Sequence, residues 1–208
     1  QFADHDWVSA PVVDENNVLL GRITVDDVID IIRDQAEHQA LGAAGLDEDE
    51  DLFAPVPRTT RRRAVWLGIN LLTAFLASWV IGNFEHVLQK VVACAVLMPI
   101  VASMGGVAGT QVLTLMVRAL ALGQVSASNA VPLLRKELLV AFANGVLWAL
   151  AVGGVALVVY RDVLLATAFG AAMVINLLAA ALSGVFLPLL LQRIRIDPAL
   201  AGGVILTT

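Results

Sequence analysis

The chain has 208 residues, 59% of them hydrophobic and 15% charged, with a formal net charge of -5. Soluble domains run at about 45–50% apolar and about 25% charged, so this composition, with a mean hydropathy of +0.82, excludes an ordinary soluble domain and marks a membrane protein. The acid is concentrated before Leu52 and the base flanks the apolar runs, so the net charge characterises neither part.

The first sixty residues read as soluble. Val8–Asp14 and Val18–Ile23 have strand character and are separated by the turn Glu15-Asn-Asn17. Thr24 suits a helix N-cap, and Asp26 and Asp27 fall in the first turn, where the helix dipole favours acid. Val25, Val28, Ile29 and Ile32 recur at helical spacing and give that helix an apolar face. A second face carries Asp27, Asp30 and Asp34 at i, i+3 and i+7, with His38 one turn on. Carboxylates so aligned suit a hard divalent cation, often through retained water; a solvated acidic face is the alternative. The acidic run Asp47–Asp51 reads as a linker, and Pro55 and Pro57 mark its end.

Beyond it, Arg58 and Arg61-Arg-Arg63 precede a span over 64–82. Further spans are expected over 91–117, 138–160 and 163–191, and a fifth begins at 198 and is cut at 208. The last of the four complete spans is long enough to tilt or bend near Gly184 and Pro188. Arg58, Arg61–Arg63, Arg118, Arg135, Lys136, Arg193 and Arg195 fall on one side, and only Lys90 and Arg161 on the other. The positive-inside rule therefore puts the N-terminal piece in the cytoplasm. The start at Gln1 and the apolar ending Val204–Thr208 suggest a fragment of a longer protein. The single cysteine, Cys94, lies in an apolar run and reads as an inert buried thiol.

The second span contains Pro99, Gly105-Gly106, Gly109, Thr110, Gln111 and Thr114. Glycine and proline weaken a helix, and polar groups in lipid need partners. The stretch is expected to be irregular and either packed through small residues or lining a path. Asn70 and Asn176 are amides that pack between helices or line that path, whereas Asn144 with Gly145, Gly153 and Gly154 suggests close packing. Glu137, beside Arg135 and Lys136, reads as one member of an interfacial ion pair. Asp197-Pro198 suits a helix start or a carboxylate at a pore mouth. No phosphate-binding loop and no hydrolytic triad is present, so an enzyme is not expected.

Residues 11–14 and 21–32 resemble the closing half of a CBS domain. Together with Pro99–Gln111, Arg135-Lys-Glu137, Asn176, Leu187-Pro188, Asp197–Leu200 and Thr207-Thr208, the whole order of parts resembles the MgtE family of magnesium channels. The resemblance implies an α-helical polytopic membrane protein, a five-helix pore domain preceded by a partial α/β CBS domain. Its parts are 1–33 (CBS half), 34–60 (connecting plug helix and acidic linker) and 61–208 (pore domain).

It further implies a homodimer in the inner (plasma) membrane, with Mg2+ as both cargo and regulator and ATP an open option at a complete CBS pair. No nucleic acid partner is implied. Cytoplasmic Mg2+ would hold the pore closed, with Asp27, Asp30 and Asp197 as metal ligands. The implied pore lining is Gly105, Gly106, Gly109, Thr110, Gln111, Asn176, Gly203 and Thr207. An ion-coupled carrier of Mg2+, Co2+ or Ni2+, or a CBS-linked sensor that conducts nothing, remain alternatives. Three departures stand out: Val107 follows Gly106 where the family often has Asn, His38-Gln39 replaces an acidic pair in the plug helix, and the family's pore aspartate would lie beyond Thr208.

Overall fold

The computed structural model describes residues 2, 6–43, 46, 53–125, 129–198, 203 and 206, without the side chains at 35, 38, 39, 43 and 90. The acidic linker 47–51, the side chains of His38 and Gln39, and Thr207 lie outside the described residues.

The chain opens with an antiparallel hairpin of β1 (Ser9–Val13) and β2 (Leu19–Thr24), in register from Ser9 opposite Thr24 to Val12 opposite Gly21. Asp14 closes the turn: its Oδ1 accepts from the amides of Asn16 at 2.9 Å and Val18 at 2.8 Å. Asn17 takes a positive φ of 60°, a conformation asparagine tolerates better than most residues. Helix α1 (Val25–Ala43) follows without a linker. It runs unbroken through residue 33, where the sequence suggested a boundary between the CBS half and the connecting helix.

Four long apolar helices follow, each of a length and composition that can cross a bilayer: α2 (Val56–Gly82), α4 (Val92–Ala121), α5 (Ala130–Tyr160) and α6 (Val163–Arg193). A short helix, α3 (Glu85–Lys90), occupies most of the connection between the first two spans. The helices begin earlier or end later than the apolar windows. Pro57 sits in the first turn of α2, where its missing N–H costs nothing, so the helix extends over the arginines. Between α5 and α6, Arg161 adopts the left-handed conformation and Asp162 caps α6, accepting from the Leu165 amide at 3.1 Å.

α6 is the central helix and packs against both α4 and α5, which barely meet each other. Its buried side is a stripe of Met173, Leu177, Ala181, Val185, Pro188 and Leu191, and Met173 is 0% exposed. No residue of α2 is buried.

Two seams of small residues bring the helices close. On the α5 seam, a Cβ on Gly145 would lie 3.1 Å from the Val174 Cα, and one on Gly153 3.1 Å from the Ala166 carbonyl oxygen. On the α4 seam, a Cβ on Gly184 would meet Val112 Cβ at 2.8 Å and the Gly109 carbonyl oxygen at 3.0 Å. A Cβ on Gly105 would collide with the Asn176 amide.

The expected irregularity of the second span is absent: α4 is continuous through Pro99 and Gly105-Gly106. The glycine penalty measured in water reflects solvent access and backbone freedom. In a bilayer no water competes for the backbone, and close packing on α6 uses the missing side chains.

These seams make adjacent glycines behave differently. Gly153→Ala is expected to lower the thermal midpoint of the purified protein through overpacking of about 1–3 kcal/mol. Gly154→Ala, with nothing within 4 Å of the added carbon, should be neutral or stabilising by up to about 1 kcal/mol. Equal midpoints for the two variants would contradict the seam.

Candidate functional site

The residues expected to line a path do not share one face of α4. Gly105 and Gly109 lie with Leu113 and Met116 on the buried side against α6. Gly109 also meets Leu206, whose Cδ2 would be 3.0 Å from an added Cβ. Gly106, Thr110 and Thr114, at i, i+4 and i+8, form a separate stripe on which both threonines are exposed. Their hydroxyls donate up the helix, Thr110 Oγ1 to the Gly106 carbonyl at 2.9 Å and Thr114 Oγ1 to the Thr110 carbonyl at 2.8 Å. Each hydroxyl oxygen keeps acceptor capacity. Gln111 points elsewhere, into a groove between α4 and α5.

Asn176 has a structural partner. Its Nδ2 donates to the Val101 carbonyl at 2.6 Å, joining α6 to α4 across the Gly105 hollow. Asn144, expected to be a packing residue, lines the same groove as Gln111, with its Nδ2 donating to the Val140 carbonyl at 3.1 Å. The neighbouring Gly145 and Gly153 do pack on α6, whereas Gly154 faces open space. Asp197 is exposed, directly ahead of Pro198, where the chain turns helical, and Gly203 and Leu206 are helical too.

At the other end, Asp27 lies three residues after Thr24, and its Oδ2 accepts from both the Thr24 amide and the Thr24 hydroxyl, each at 2.7 Å. The Thr24 amide bond, then the hydroxyl bond, and then the Arg22 charge hold the Asp27 carboxyl below the usual carboxylate range. Asp27, Asp30 and Asp34 are all exposed, and among the described residues no three His, Cys, Asp or Glu side chains converge as a metal site. Oδ1 of Asp27 is the oxygen left for a cation, and Asp30 stands one turn further on.

Sequence reasoning placed Glu137 in an interfacial ion pair, and Lys136 Nζ lies 3.5 Å from its Oε1. The fold also buries it to 7% exposure beside Gln111 and Asn144, which the sequence reading did not foresee. The signal was present: Glu137, Ala141, Asn144 and Trp148 recur at helical spacing on α5. Reading it required knowing that α4 presents Gln111 to that stripe.

The sequence matches the MgtE family, described as a divalent cation transporter, over residues 98–208. The chain belongs to that family. It is 32% identical to the magnesium transporter MgtE of Bacillus subtilis over 206 residues, which is 98% of this chain and 45% of that protein. Against the magnesium transporter MgtE of Enterococcus faecalis it is 33% identical over 205 residues, 99% of this chain and 45% of that protein. Against the Thermus thermophilus protein of the same name it is 32% identical over 211 residues, 100% of this chain and 46% of that protein. The chain thus spans a little under half the length of these relatives.

The capped start of α1 predicts a pH response. Because the folded Asp27 carboxyl is depressed, its contribution is full above the unfolded value of about 3.9. That contribution is lost as pH falls through the lower folded value. Hydrogen-exchange protection of the Thr24 amide should therefore hold above about pH 4 and collapse below it. Asp27→Asn should remove this pH step; a step that survives the change would show that Asp27 is not its source.

Proposed function

We propose that the complete protein is a magnesium channel that admits Mg2+ down its electrochemical gradient and is closed by cytoplasmic Mg2+. The observation that carries this reading is the Gly106, Thr110, Thr114 stripe, with both threonines exposed on a helix long and apolar enough to cross a membrane, in a chain of this family. The two hydroxyl protons are satisfied within α4, and what the stripe offers a water-filled path is the remaining acceptor capacity of the hydroxyl oxygens.

Magnesium demands octahedral oxygen coordination and gives up water reluctantly. Hydroxyls and carbonyls spaced one turn apart suit a hydrated ion, held through its waters and selected by pore size and outer-shell hydrogen bonds. Asp197, ahead of the fifth helix, supplies a carboxylate near one mouth. Leu206 against Gly109 supports a fifth helix beside α4. The path is completed by a second copy across a two-fold axis in the plasma membrane, with the N-terminal unit in the cytoplasm, as the loop arginines favour.

A carrier is favoured less. Carriers of this size commonly bind cargo where a spanning helix is broken, and α4 is continuous.

Gating rests on Asp27 and Asp30, and they are unequal tests. Asp27→Ala removes both a candidate ligand and the contact that starts α1, whereas Asp30→Ala removes only a ligand. In liposomes carrying the complete protein, magnesium entry should need no second ion gradient and should fall as inside magnesium rises. Asp30→Ala should raise the inhibitory concentration about tenfold, because affinity at such sites follows the count of charged ligands. Entry that requires an opposing proton or sodium gradient would replace the channel with a carrier. Inhibition unchanged in Asp30→Ala would remove that residue from gating.

Thr110→Val tests the stripe. It should cut magnesium flux while moving stability by no more than about 0.5 kcal/mol, the usual range for exposed positions. Thr73→Val on α2, which also removes a hydroxyl bonded to its own helix, serves as the control.

A further inference from the structure

The groove between α4 and α5 has a volume of about 420 Å³ and is floored by Leu177 and Ala181 of α6. Its polar lining consists of Gln111 from α4 and of Glu137 and Asn144 from α5, with Trp148 closing one end. Beyond Met104 and Trp148, which line both spaces, the cleft continues as an apolar cavity of about 290 Å³. The polar groups are thus gathered at the end nearer Arg118 and Arg135.

The Glu137 carboxylate is poorly compensated there. Its Oε1 lies 3.5 Å from Lys136 Nζ, well beyond the roughly 2.7–2.9 Å of a charge-assisted hydrogen bond. The lysine side chain is 69% exposed. Among the described residues no other ion pair or hydrogen bond reaches this carboxylate. A buried carboxylate that stays ionised in a membrane protein needs a counter-charge.

We propose that this groove is a binding station for a hydrated divalent cation, held by Glu137 with the side-chain carbonyls of Gln111 and Asn144. The proposal rests on the transport reading above and adds a site set apart from the Gly106, Thr110, Thr114 stripe. Three side chains cannot supply six inner oxygens, so the ion keeps its water. Six waters at about 30 Å³ each occupy about 180 Å³, which the groove accommodates. Glu137 provides the charge, and the two amides accept hydrogen bonds from coordinated water.

The test uses Mn2+, a paramagnetic divalent ion, as the probe on the complete protein. A nitroxide is attached at Leu139→Cys, outside the groove lining, with Cys94→Ala and no other thiol present. Mn2+ should speed the relaxation of the nitroxide, and Mg2+ should reverse the effect by competition. Glu137→Gln should weaken this response at least about tenfold, as expected for loss of a charged partner. Glu137→Asp should retain part of it.

If Glu137→Gln fails to fold, the double change Gln111→Leu with Asn144→Leu gives the second measurement, with the same weakening expected. No Mn2+ effect on the parent, or an equal effect in these variants, overturns the proposal. The first result would leave a basic side chain from another segment or copy as the counter-charge. A parent that passes magnesium without the Mn2+ response sinks this site alone. One that gives the response but passes no magnesium sinks the transport reading alone.

Discussion

The hydrogen bond from Asn176 to the Val101 carbonyl sets the geometry on which the membrane part depends. An amide inside an apolar helix needs a partner, and the only backbone atoms with spare acceptor capacity in lipid are helix carbonyls. Reaching one requires the two helices to approach almost backbone to backbone, which is possible because Gly105 presents no Cβ beneath the amide. Two turns further along α6, Gly184 makes the same approach against Gly109 and Val112. With α4 held at both places, its rotation is fixed. Its glycine face is spent on packing, and the Gly106, Thr110, Thr114 stripe is left for something other than α6.

The α5 seam supplies the complementary constraint. Gly145 against Val174 and Gly153 against the Ala166 carbonyl hold α5 antiparallel to α6. Because α6 takes both partners at close range, α4 and α5 diverge from each other, and the groove with Gln111, Glu137 and Asn144 is the space between them. In a membrane, helix association gains little from apolar burial, since lipid tails are as apolar as leucine. Backbone proximity and a few polar contacts must therefore do the fixing, and the glycines mark where that happens.

Much of this was legible in the sequence, and the failures share a cause. The hairpin, the first helix and the four apolar spans follow from strand signals, turn residues and run length, although α2 and α5 each begin eight residues before the expected window. Which side of α4 would face which neighbour was not legible. A helix that is apolar all round carries no amphipathic signal for orientation, so Gly105, Thr110 and Gln111 were assigned to one lining although they fall on three faces. Asn176 was open between packing and lining and makes an interhelical bond, whereas Asn144 lines a groove: an intramembrane amide announces that it needs a partner, not which one. The irregular backbone expected around Pro99 and Gly105-Gly106 rested on helix propensities from water, which the packed membrane environment overrides.

The N-terminal end shows a different economy of atoms. Ile29 and Ile32 of α1 are exposed although their helical spacing marks an apolar face. On the opposite side, Asp27 already holds the first turn of α1 through Oδ2. A cation arriving there has two routes. It can use Oδ1, or a bridging water, and leave the helix start intact; or it can draw the carboxylate away and unfasten Thr24. In the first case the ligand is pre-oriented, because the cap has already fixed its rotamer, and the depressed carboxyl keeps it anionic at any physiological pH. In the second, binding is opposed by the loss of two hydrogen bonds. The first route costs less, so the bonds that begin the helix also hold a candidate sensing oxygen in place.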